Sequence, residues 1–339
     1  MGFHRRLAPT GFDRGATAVA GLLSAAAAVL GAVPALASPA DDTRAEVDRL
    51  HREAEKATEA YNKADERTGV LRAQVSRAQD RIARQQERIN TMRNALGSLA
   101  GAQYRAGGID PSVALLLSAD PEEYLEKASV LDRIGTRQAG ELRNLQKAMR
   151  GLAEDRAAAT KKLGELTRGR RAVAAHKKTV ERKLAEARRL LNSLPAEERA
   201  AYGRTSRSER ADLTGPGGAG GAPASGRAAA AVAAARSALG KPYVWGANGP
   251  TGFDCSGLTQ WSYAQAGVGL PRTSQAQAGA GRRVPLAAAR PGDLVAYRDD
   301  ASHIGMYVGN GQVIHAPHPG APVRYDPVGM MPVSSVTRP

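Results

Sequence analysis

From Val47 onward the apolar side chains recur in steps of three and four, through Leu50, Ala54, Ala57, Tyr61, Ala64, Leu71, Val75, Ala78, Ile82, Ile89, Met92, Leu96 and Leu99, with Thr68 and Gln85 as polar interruptions. A 3.5-residue repeat held this long predicts a coiled-coil seam, because it keeps one stripe facing a partner helix along a supercoil. Gly107-Gly108 and Asp110-Pro111 predict where it stops, since glycine costs a helix about 1 kcal/mol relative to alanine. Asp120-Pro121-Glu122-Glu123 then supplies a cap, a proline at the first helical position and acids in the first turn. The second helix repeats the register from Ala128 to Leu194, with Gly135, Gln138, Arg156, Arg170 and Lys177 as small or polar fillers. Two matched helices joined by a short tip predict an antiparallel hairpin over residues 38–202, each arm roughly 90 to 110 Å long at ~1.5 Å per residue. The apolar tip, Val113 with Leu115, Leu116 and Leu117, either covers the end of the coil or offers a docking point for a membrane-protein regulator.

The heptads give way at residues 203–226 to Gly, Ala, Ser and Pro, the composition of a flexible tether. Residues 227–339 have a different grain. An alanine-rich helix (Ala228 to Leu239) leads to an extended Tyr243-Val244-Trp245 and a glycine-rich loop, then a helix from Cys255 to about Ala266. Short alternating runs at Leu294–Tyr297, Ser302–Val308 and Gln312–Ala316 follow, separated by turn residues. This is the signature of an α+β domain with helices packed on an antiparallel sheet, and the length suffices for one core.

Composition adds a location. Residues 1–37 hold Arg5, Arg6 and Arg14, an uncharged run from Ala16 to Ala32, and Ala35-Leu36-Ala37, the order of a cleaved secretory signal. The general export route is the simpler reading, with Arg5-Arg6 leaving the twin-arginine route open. No cysteine follows the apolar run closely enough for lipid attachment. The expected product is therefore secreted, extracellular or associated with the cell wall. A net charge of +15 suits a polyanionic partner, and export makes that partner wall polymer rather than nucleic acid. Cys255 is the sole cysteine. In an oxidising compartment it is a buried bystander, an intermolecular crosslink or a nucleophile.

Asp254 is placed to cap the second helix, which puts Cys255 in the first turn, where unmatched amides and the helix dipole favour a thiolate. Residues 227–339 contain no glutamate, so acid–base work there falls to Asp, His, Tyr or the thiol. His303 and His315 share a face only if the loop between their strands has three residues or a bulge. A two-residue Asn310-Gly311 turn would set them on opposite faces. If aligned, they form with Cys255 a nucleophile, base and orienting group. One thiol and widely spaced histidines lack the paired close spacing of a zinc site, so no metal and no cofactor is expected.

Six blocks, Pro-Tyr-Val-Trp-Gly (242–246), Phe-Asp-Cys-Ser-Gly-Leu (253–258), Leu-Pro-Arg-Thr-Ser (270–274), Pro-Gly-Asp-Leu (291–294), His-Ile-Gly-Met-Tyr-Val-Gly (303–309) and Val-Ile-His-Ala (313–316), together resemble the NlpC-type cell-wall peptidases. The resemblance implies a papain-like domain that cleaves peptidoglycan stem peptides, usually between D-glutamate and the following diamino acid. It implies Cys255 as nucleophile, His303 as base and His315 as orienting residue. It places Tyr243 near the developing oxyanion, or merely packed beside it, and Asp254 and Ser256 at positions associated with substrate binding. Arg272 and Ser274 are further candidates for stem-peptide carboxylates, with alternative roles as a turn arginine and a helix cap. The hairpin resembles the amino-terminal rods of secreted Gram-positive wall hydrolases, which engage a membrane partner and restrain the peptidase. Two other classes remain: a wall-binding adaptor that does not cleave, and a thiol amidase or acyltransferase acting on another substrate.

Overall fold

Two long helices, α1 (Pro39–Arg105) and α2 (Pro121–Ser193), run antiparallel for about 100 and 110 Å. The computed structural model describes residues 39–105, 113, 121–208 and 222–339. Val47 and Leu50 pack on Ala187 and Leu191, Ala54 on Val180 and Leu184, and Leu71 and Val75 on Leu166, so the predicted seam is the observed one near the base. The polar interruptions meet small partners: Thr68 lies against Gly169, and Gln85 Nε2 donates to the Ala148 carbonyl at 3.1 Å. Farther out, seam positions Leu142, Met149 and Leu163 are 43–50% exposed, because two helices with an alanine-rich stripe cannot enclose a large side chain that a third helix would cover.

The second arm is not continuous to residue 202. It ends at Ser193, and a separate helix α3 (Ala196–Ser208) begins after Pro195, which cannot supply the amide a continuing helix needs. Helix α3 also runs on to Ser208, into the stretch read as tether. Residues 1–37, read above as an export signal, and tip residues Leu115 to Leu117 lie outside the described residues, while Val113 is half exposed. Among the described residues, no helix is long and apolar enough to cross a membrane.

The remaining residues form the expected α+β layer. Helix α4 (Gly226–Ser237) is capped by the Ser225 side chain, and α5 (Cys255–Gln265) by Asp254. A four-residue α6 (Ser274–Gln277) is capped by Thr273 rather than Ser274. Strands β1 (Arg282–Val284), β2 (Leu294–Tyr297), β3 (His303–Gly309), β4 (Gln312–His315), β5 (Arg324–Pro327) and β6 (Val333–Arg338) make one antiparallel sheet in the order β1-β6-β2-β3-β4-β5. The strands alternate as a half-covered sheet should. Leu294, Ile304, Met306 and Ile314 join Leu258 and Ala235 in a core against α4 and α5, while Val295, Tyr297, Val313 and Val336 form a second cluster.

Candidate active site

Asp254 fixes where Cys255 sits. Its Oδ1 accepts the Gly257 amide at 2.6 Å, its Oδ2 accepts the Gly246 amide at 3.0 Å, and Arg272 grips both oxygens at 3.0 and 2.6 Å. The start of α5 is pressed so closely on the preceding loop that a Cβ on Gly257 would lie 2.1 Å from the Ala247 carbonyl oxygen. Capping and clamping are thus one arrangement, and Arg272 is engaged with Asp254 rather than free for a ligand.

The histidines are aligned, and by the bulge alternative. Tyr307 pairs with Val313 and Gly309 with Gln312, so β3 carries one extra residue at Val308. Gly305 consequently lies across from His315; a Cβ there would meet the His315 Cβ at 3.2 Å. His303, two residues before Gly305, shares that face, and its Nε2 lies 2.7 Å from His315 Nδ1. The chain of contacts continues: His315 Nε2 is 2.6 Å from Asp326 Oδ2, which also accepts from Arg324 Nε at 2.8 Å. Burial pushes His315 down to about 4, against the opposing pull of Asp326.

The surprise is what occupies the space over Cys255. Helix α1 lies across it and buries a polar stripe of His51, Glu55, Thr58, Glu59 and Asn62. Glu55 hydrogen-bonds His303 Nδ1, the nitrogen left over for the thiol, and Arg298 Nη1 binds the other Glu55 oxygen at 2.6 Å. Burial pushes the Glu55 carboxyl up, but His303 and Arg298 outweigh it and hold the group below the ordinary range. An ionised carboxylate only accepts, so the Nδ1 that it engages carries a proton and cannot serve as a base. One turn along, Glu59 Oε1 accepts from Ser256 Oγ at 2.7 Å and lies 3.8 Å from Cys255 Sγ, while Oε2 accepts the Ser274 amide at 2.8 Å. Asn62 Nδ2 donates to Asp254 Oδ2 at 3.1 Å. Tyr61 packs edge-on to Trp245, His51 stacks on His318, and Lys56 pairs with Asp300 at 2.8 Å at the rim.

This corrects the expected electrostatics of the thiol. Cys255 is 1% exposed, and burial, followed by the carboxylates of Glu59, Glu55 and Asp254, pushes it well above its usual value. The helix start favours a thiolate, but with three carboxylates around it the thiol stays protonated. Burial and then Asp254 push Glu59 itself up to about 7, against the hydrogen bonds from Ser256 and Ser274. Tyr243 is buried in the same cluster as Cys255, its hydroxyl raised by burial and by the neighbouring thiol and acids. Ser274 contributes its amide, not a cap, and its buried hydroxyl has no protein partner. Glu55, Cys255 and His303 bring donor atoms within 4.8 Å of one another, but the Glu55 carboxylate is already spent on His303 and the Arg298 cation. The grouping reads as an ionic latch, not a metal centre.

Sequence reasoning missed Glu55, Glu59, Asn62, Arg298 and Asp326. A signal for the first three exists: positions 51, 55, 58, 59 and 62 form a second helical stripe, free of Lys and Arg, beside the apolar seam. Its like-charged Glu55 and Glu59 stand four residues apart, an arrangement unfavourable on a bare helix.

A buried helix-start thiol beside a histidine pair on an antiparallel sheet is the arrangement of the papain-like class of thiol folds. Within that class, residues 240–336 match the NlpC/P60 family. The chain is 48% identical over 117 residues to a probable endopeptidase of Corynebacterium glutamicum, which covers 34% of this chain and 56% of that one. It is 53% identical over 96 residues to probable endopeptidase p60 of Listeria monocytogenes, covering 28% of this chain and 19% of the relative. The chain thus spans about half the length of the first relative and a fifth of the second. A solved P60 domain from a Mycobacterium avium subspecies paratuberculosis antigen is 37% identical, with 33% of this chain and 93% of that chain covered and a TM-score of 0.32.

Proposed function

We propose that the chain is a secreted peptidoglycan endopeptidase that cuts stem peptides, at the bond between D-glutamate and the diamino acid, and that helix α1 holds it in a closed state. The observation that carries the reading is the placement of Cys255 at a capped helix start beside the His303–His315 pair, inside a domain of the NlpC/P60 family. The endopeptidase names of the similar proteins support the reaction class. The basic, apolar and small-residue order of residues 1–37 supports export.

In the open state His303 Nδ1 takes the Cys255 proton, and the thiolate attacks the amide carbonyl. The imidazolium then protonates the leaving amine, and water, activated by the same nitrogen, hydrolyses the acyl-enzyme. Tyr243, buried beside the thiol, is in position to donate its hydroxyl to the oxyanion. Ser256, the Ser274 amide and the unpartnered Ser274 hydroxyl form the bed in which Glu59 now lies, a bed for a substrate carboxylate. The rod therefore excludes substrate by filling its polar contacts and by taking the base nitrogen. Val113 to Leu117 at the far end remains the proposed attachment for a membrane-protein regulator.

The test is the full mature chain carrying Glu55→Ala and Glu59→Ala, given purified muropeptides, with and without Cys255→Ala. New amino groups from the first and none from the second are expected, with mass analysis fixing the bond. No release from the first would leave the non-cleaving wall-binding adaptor as the better reading.

A further inference from the structure

The sequence of hydrogen bonds behind His303 does not end at His315. Strand β5 pairs with β4 so that Arg324 lies across from His315 and Asp326 across from Val313, two residues along and on the same face. Asp326 is 3% exposed, yet both oxygens have partners: Oδ2 takes His315 Nε2 at 2.6 Å and Arg324 Nη2 at 2.8 Å, and Oδ1 takes Arg324 Nε at 3.1 Å. Burial raises this carboxyl, but His315 and Arg324 outweigh it and keep the group ionised.

Hydrogen-bond accounting then fixes every proton in the row. An ionised Asp326 only accepts, so His315 Nε2 carries its hydrogen. His315, whose ionisation burial suppresses, stays neutral, so its Nδ1 is bare. A bare Nδ1 at 2.7 Å can only accept, which places the hydrogen of neutral His303 on Nε2 and leaves His303 Nδ1 as the free lone pair once Glu55 withdraws. With Nε2 engaged by His315, that nitrogen is the one left for the thiol, and His303 brings a ring nitrogen within 4.8 Å of Cys255 Sγ. A third residue with one fixed acceptor, such as an amide oxygen, would need no such help; a histidine has two tautomers, and only one of them works here.

We propose that Asp326 is a positioning residue for the thiol chemistry: it locks His315 in the tautomer with Nε2 protonated, and through it selects His303 Nδ1 as the acceptor of the Cys255 proton. No bond to substrate is involved. In the step it supports, the S–H bond of Cys255 breaks, the proton passes to His303 Nδ1, and the resulting imidazolium donates from Nε2 to His315.

Two measurements test this, and only the second rests on the endopeptidase reading. In the full chain labelled with 15N-histidine, His315 Nδ1 should resonate as an unprotonated ring nitrogen and Nε2 as a protonated one, and in Asp326→Ala the two signals should converge as both tautomers populate. A wild-type His315 protonated at Nδ1, or signals unmoved by Asp326→Ala, overturns the proposal without any assay of turnover. In the full chain released by Glu55→Ala and Glu59→Ala, Asp326→Ala should lower kcat on muropeptides roughly 10- to 100-fold. With His315→Asn also present, whose side-chain oxygen stands in for Nδ1, the same change should cost less than about twofold. Equal losses in the two backgrounds would mean a merely structural carboxylate and sink the idea. A released chain that is silent on muropeptides but has the bare Nδ1 counts against the endopeptidase reading and for the relay.

Discussion

The near and far parts of helix α1 are built from the same residues and do opposite things with them. Near its base, Glu55, Glu59 and Asn62 are 2–5% exposed and reach into the bed around Cys255. Farther along, Glu66 and Glu87 are exposed, and Arg81 and Asp155 pair loosely at 3.8 Å across the two arms. The difference lies in what packs on the face, not in the helix. A surface carboxylate pair is worth little because water solvates both partners as well as they solvate each other. A carboxylate desolvated against His303 and Arg298 is worth much more when it is paired and is costly when it is not. The lesson is that the contacts between the rod and the thiol site are concentrated in about three turns at its base.

That contrast is broken most severely by removing both acids. A charge-assisted hydrogen bond contributes about 1.5–3 kcal/mol, so the Glu55→Ala/Glu59→Ala chain should alkylate at Cys255 about 100-fold faster than wild type with iodoacetamide. Unchanged labelling would mean that the rod base does not guard the thiol. A smaller effect comes from pH. Glu59 has a docked value of about 7 against an ordinary 4.5, so the docked helix holds a proton that the free helix releases. Its contribution to docking is full below about 4.5 and is lost as pH rises through 7. His51, held down to about 4 from 6.5, works the other way, but only below pH 6.5. Between pH 6.5 and 8, therefore, hydrogen exchange at the Ser274 amide should speed up more in wild type than in Glu59→Gln. Parallel profiles would remove Glu59 as the source. The smallest effect should come from the far end. Arg81→Ala removes an exposed pair worth at most about 1 kcal/mol and should leave labelling of Cys255 within about twofold. A larger change would show that the whole rod, not its base, sets the closed state.

The hairpin, the two longer helices of the thiol domain, strands β2 to β4 and the bulge alternative were legible in the chain, because heptads, caps and strand alternation are local properties, whereas the edge strands β1 and β5 and the inserted β6 were not. Cys255, His303 and His315 could be placed for the same reason: each lies in a short element whose neighbours set its direction. The latch could not be read this way. Glu55 meets His303 across 248 positions of sequence, and the stripe free of Lys and Arg that carries it marks a covered face without saying what covers it. Asp326 was equally silent, since its partner becomes apparent only once β4 and β5 are paired. The break at Pro195 was visible in principle, but a register that runs on through Leu194 hides it. The cap at Thr273 was masked by Ser274 beside it, two residues of nearly equal capping ability.

The domain that bears the thiol has no glutamate of its own, so both acids over Cys255 are borrowed from another part of the same chain. Because that chain is covalent, the borrowed helix meets the site at an effective concentration fixed by chain connectivity, and diluting the protein cannot loosen it. In the proposed closed state, opening is a first-order event whose rate is set within each molecule, and a pull, a binding event on the rod or a change of pH, but not a change in enzyme concentration, alters it.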